Sequence, residues 1–217
     1  MMHAESPATE VRFDPRRSTT SSPSTYAARL TVPRTPAEAE ALLSRVEKRL
    51  AMAPVAIDVL LAVASFLGAN SGAWTSTNRE RLRRALASAG PVAIDALIAT
   101  MQLHPRSDVL DEAELVVREL PRHCAVRIRS LAGDQALAAR IRATLLRGVA
   151  RLDLPGAFET IRVGLSDPEP EVRDAAVSLI AELELPEGRE LLAHRLARES
   201  NPLVVRSIQD AIESFDA

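Results

Sequence analysis

Four histidines, one cysteine and 29 carboxylates are the side chains of this 217-residue chain with the chemistry to ligate a metal, carry a proton or attack a carbonyl. Metal ligation and acid–base catalysis both need such groups brought together, and on one element that means short helical or turn spacing. His3, His104, His123 and His194 have no second ligand at that spacing. Nor is there a His-x-x-x-His pair, a glycine-rich phosphate loop or a nucleophile elbow. His123 adjoins Cys124, but successive residues on a helix point about 100° apart. The plainer account of Cys124 is a buried small thiol. A single cysteine excludes an intramolecular disulfide and a cysteine-based metal site. Asp58 and Asp95 sit in otherwise apolar stretches, each closing a Pro-Val-Ala-Ile-Asp run, at 54–58 and 91–95. Their expected role is structural, as acceptors for first-turn amides or partners for a neighbouring repeat's arginine; an acid–base pair is the lesser alternative. No catalytic residue, cofactor or metal site is expected.

Charge is distributed unevenly. From Arg122 to Arg151 there are seven arginines and one aspartate, a balance of +6; from Leu152 to Ala217 there are 14 acids and six arginines, a balance of −8. Arg140, Arg147 and Arg151 fall on one helical stripe opposite Ile141, Leu145 and Val149. The plainer account is a solvated face with neighbouring acids. The functional one is a positive ridge, extended by Arg81 and Arg84 if the elements stack that way, which steers a protein partner with an acidic surface. A net charge of −2, an acidic C-terminal third and 3% aromatic residues argue against nucleic acid as the partner, and the charge argues against an anionic membrane.

These residues must be positioned by helices. Apolar residues make up 47% of the chain with very few aromatics, which favours Ala- and Leu-rich helices in close contact over a β-sandwich. The clearest unit is Leu165 to Leu183, LSDPEPEVRDAAVSLIAEL. Asp167, Pro168 and Pro170 suit a turn and a helix start. Val172, Ala175, Ala176, Leu179, Ile180 and Leu183 then fall on one side, with Asp174, Ser178 and Glu182 on the other. Thirty-three residues on, Asn201-Pro202, Val205-Arg206, Ile208, Ile212 and Phe215 restate it more weakly. A helical hairpin recurring at such an interval predicts a stacked repeat array, an all-α solenoid. Upstream helix starts are expected at Thr35–Glu38, Thr77–Glu80 and Asp108, and after Gly133-Asp134, giving about eleven helices. Residues 1–35 form an expected disordered tail, because Ser, Thr and Pro supply 16 of the first 36 positions; residues 36–217 form the repeat domain. The first twenty residues lack an apolar signal segment, and the longest apolar run, Leu50–Leu67, is broken by Pro54, Asp58 and Ser65. A cytoplasmic, membrane-free protein is the expectation.

Residues 158–215 resemble the HEAT-repeat family, whose units pair two antiparallel helices through an Asp-Pro turn and a Val-Arg start to the second helix. The matching residues are Asp167, Pro168, Val172, Arg173, Ala176 and Leu179, then Asn201, Val205, Arg206 and Ile212. The resemblance implies a structural ladder between turn acids and helix arginines, here Asp167, Arg173 and Arg206. Ser200 stands where the second turn acid would be, so half the ladder is expected to be missing. It also implies a non-enzymatic scaffold or adaptor. Stacked hairpins are expected to place their second helices on an inner face, where a partner would bind through Arg118, Asp174, Ser178 and Asp210. Related repeat proteins leave a nucleic-acid-binding or DNA-repair protein, or a repeat-type lyase, as alternatives.

Overall fold

The computed structural model describes residues 32–50, 60, 64–66, 73–185 and 187–215. The expected tail up to residue 31, the first Pro-Val-Ala-Ile-Asp run with Asp58, and Pro186 lie outside them. Among the described residues there are ten α-helices and no strand. They are α1 (Pro36–Leu50), α2 (Ser76–Ser88), α3 (Pro91–Leu103), α4 (Ser107–Glu119), α5 (Ala125–Ala132), α6 (Ala139–Leu152), α7 (Leu154–Gly164), α8 (Pro170–Glu182), α9 (Gly188–Leu196) and α10 (Pro202–Phe215). The eleventh expected helix, between α1 and α2, falls mostly outside the described residues.

Local chemistry sets the helix starts. The Thr35 hydroxyl accepts from the Glu38 N–H at 3.2 Å, and the Glu38 carboxylate accepts from the Arg34 N–H at 2.8 Å, one residue before the expected donor. Helix α2 begins two residues earlier than a Thr77 cap would place it, because the Thr75 hydroxyl accepts from the Asn78 N–H at 3.2 Å. Pro91 opens α3 after Gly90, whose φ of 60° favours glycine. Helix α6 starts at Ala139, later than expected, since the Asp134 carboxylate accepts from the Ala136 N–H at 2.9 Å and holds residues 134–138 in a turn. The Asp167 carboxylate likewise accepts from the Glu169 N–H at 2.8 Å, so it fixes the turn before α8 without capping the helix amides themselves.

Helices α1, α2, α4, α6, α8 and α10 form a row in which each packs on the next. Helices α3, α5, α7 and α9 each pack on the row helix that follows them in the chain, as the first members of helical hairpins. First helices make no comparable contact with one another among the described residues. The core of every junction is aliphatic. Val117, Val149 and Ile180 are buried at equivalent places on three successive second helices, and Ile141 and Val172 form a second such set. Such side chains contribute about 2 kcal/mol each when fully buried. The central helix α6 is enclosed by α4, α5, α7 and α8, and only Ala139 and the arginine stripe escape full burial. Gly148 lets α4 come close: a Cβ there would lie 2.5 Å from Val117 Cγ1 and 2.7 Å from Val117 Cβ.

Candidate functional site

Two sets of charged residues link the hairpins, one buried in the turns and one along the second helices. In the turns, Arg142 on α6 donates from Nε and Nη2 to Asp167 at 3.2 and 2.7 Å, and from Nη1 to the Leu137 carbonyl at 2.6 Å. Both side chains of this pair are at most 5% exposed. Gln135 also donates to Asp167, at 3.3 Å. Burial alone would raise the Asp167 carboxyl. The Arg142 bonds, the Glu169 N–H and Gln135 together outweigh it and hold the group below its ordinary value.

One hairpin later the arrangement recurs. Arg173 donates to both oxygens of Glu199, at 2.8 and 2.7 Å, and from Nη1 to the Asp167 and Pro168 carbonyls at 3.0 and 2.7 Å. Glu199 also accepts from Arg195 and from the Ser200 and Asn201 N–H groups. Its side chain is fully buried. The Arg173 hydrogen bonds, opposed by burial and helped by the Asn201 N–H and Arg195, push its carboxyl far below the usual range.

The ladder is therefore Arg142–Asp167 followed by Arg173–Glu199, which differs from the expected one in two ways. Ser200 leaves no gap, because Glu199, one place earlier and one methylene longer, serves as the turn acid. The register between α8 and α10 also slips by one place from the one the letters suggest. Glu199 takes the place of Asp167, Pro202 that of Pro170, and buried Val204 that of Val172. Val205 then stands where Arg173 stands, and Arg206 is no rung. It is 82% exposed and lies 4.0 Å from Asp210 on its own helix. Arg142 and Glu199 were missed; the dipeptide Ile141-Arg142, a repeat before Val172-Arg173, was the available signal.

The second set runs along the uncovered side of the second helices. Arg81 on α2 binds Glu47 and Glu40 on α1 at 2.8 and 2.6 Å. Arg83 on α2 binds Glu112 on α4 at 3.0 Å, with Glu119 at 3.6 Å. Glu114 on α4 accepts from Arg147 and Arg151 on α6, at 2.8 and 3.0 Å. Arg151 also binds Glu182 on α8, and Arg140 lies 3.5 Å from Glu171 on α8 while donating to Ser107 and the Pro105 carbonyl. The stripe of Arg140, Arg147 and Arg151 is thus a seam of ion pairs and not an unopposed positive ridge. The acids it needed lie on the second helices to either side, a repeat away in sequence. Arg84, expected to extend the ridge, pairs with Glu80 on its own helix.

Between these pairs the face remains open. Arg118 on α4 is exposed, with no ion pair or hydrogen bond to its side chain among the described residues. Ser178 and Asp210 are exposed and Asp174 partly so; the Ser178 hydroxyl donates to the Asp174 carbonyl at 3.1 Å. Asp174 and Asp210 line one cleft of about 540 Å³ between α8 and α10, with Arg206, Glu171 and Leu203. A second cleft of about 730 Å³ opens between first helices α5 and α7, floored by Leu146 and Val172.

Among the described residues, the side chains with catalytic or metal-binding chemistry do not converge. His104 and His123 are exposed on the surface, and His194 lies 3.9 Å from Glu190 on its own helix. Burial pushes the Cys124 thiol up, away from the reactive thiolate. Asp95 accepts from Arg127, whose guanidinium also reaches the Pro91 carbonyl at 3.2 Å, so it ties α3 to α5. No helix of the described residues is long and apolar enough to cross a membrane.

A row of helical hairpins with buried turn ladders defines a helical-repeat protein. Residues 133–213 match the family model described as HEAT repeats. No curated protein sequence is detectably similar to it. A designed armadillo repeat protein of known structure aligns with a TM-score of 0.45 at 17% identity, over 83% of this chain and 87% of that one. Folds of this kind typically serve as protein-interaction scaffolds and are generally non-catalytic.

Proposed function

We propose that the chain is a non-enzymatic scaffold that holds another protein along the open side of its second helices. The observation that carries this reading is the continuity of that side. Five successive second helices, α2 to α10, place exposed polar side chains on it, and Arg–Glu pairs fix four of the helix junctions in register. A preordered surface of this kind loses little free energy to ordering when a partner binds. Arg118, Asp174, Ser178 and Asp210 are the residues we assign to the partner, with Arg140, Arg147 and Arg151 on the rim, already held by carboxylates. Because those carboxylates cancel the ridge, steering of an acidic partner is not part of the proposal.

The test is capture from native cell extract on immobilised protein, followed by identification of the retained chain. Ser178→Arg and Arg118→Glu both alter exposed positions and should abolish capture while leaving helicity and melting temperature intact. Retention of the same partner by both variants would rule out the open face.

A further inference from the structure

We draw no further inference here: the strongest candidate, the cleft of about 730 Å³ between first helices α5 and α7 over Leu146 and Val172, carries none, because the charged side chains along it are already paired, Arg129 with Asp153, Arg162 with Glu159 and Asp167 with Arg142, and nothing in the structure shows what covers it.

Discussion

Replacing Glu199 by Gln tests whether the buried turn ladder holds the last hairpin to the array. Glu199 accepts from Arg173, Arg195 and two backbone N–H groups with its side chain fully out of solvent. Glutamine keeps the shape, but it loses the charge and turns a donor towards one guanidinium. Removing one member of a buried ion pair costs about 3–5 kcal/mol, because the remaining charge is left without compensation. Arg173 would retain the Asp167 and Pro168 carbonyls, which places the expected loss at the lower end, about 3 kcal/mol. For a chain of this size that corresponds to a fall in melting temperature of about 6–12 °C. In a repeat array the loss should be local, so amides of α9 and α10 should lose hydrogen-exchange protection before those of α4 and α6. The matched control is Glu182→Gln, whose pair with Arg151 is half in water and should change stability by less than about 1 kcal/mol. Glu199→Gln within about 0.5 kcal/mol of the parent, or protection lost evenly along the chain, would refute the ladder as the tie between hairpins.

The same group sets an acid limit. Its folded pKa lies below the unfolded one, so its contribution is complete above the unfolded value and fades as pH falls towards the folded one. Parent stability, followed by urea titration, should therefore drop below about pH 5, and Glu199→Gln should flatten that dependence. Gly148→Ala gains about 1 kcal/mol of helix propensity. It also drives a methyl into Val117 Cβ, which cannot rotate away, so net destabilisation of about 1–2 kcal/mol is expected by thermal melting. Removing residues 1–30, rich in Ser, Thr and Pro, should leave the melting temperature unchanged.

What the sequence made legible follows from how far each interaction reaches along the chain. Pro91, Pro170 and Pro202 mark helix starts because their effect is confined to their immediate neighbours, and all three open helices here. Aliphatic periodicity assigned Val172, Ala176, Leu179 and Ile180 to the core of α8 for the same reason: one helix carries the whole pattern. The charged residues behave otherwise. Arg147 and Arg151 look like a cationic ridge when α6 is considered alone, and they become a neutral seam only when Glu114 and Glu182 arrive from distant parts of the chain. Net charge summed over a contiguous stretch averages along the chain, whereas Coulomb interactions act between neighbours in space. In a repeat protein those neighbours lie about one repeat apart. The useful sum therefore runs across the array, pairing each second helix with the ones before and after it.

The register slip has a related origin. The dipeptide Val205-Arg206 copies Val172-Arg173 in letters, yet the fold aligns Val204 with Val172, because burial and the turn acid together decide which residue is a rung. Glu199 could replace an aspartate at Ser200 because its longer side chain reaches back to the same guanidinium from one place earlier. The row conserves the position of a charge in space while the residue carrying it moves by one place in sequence.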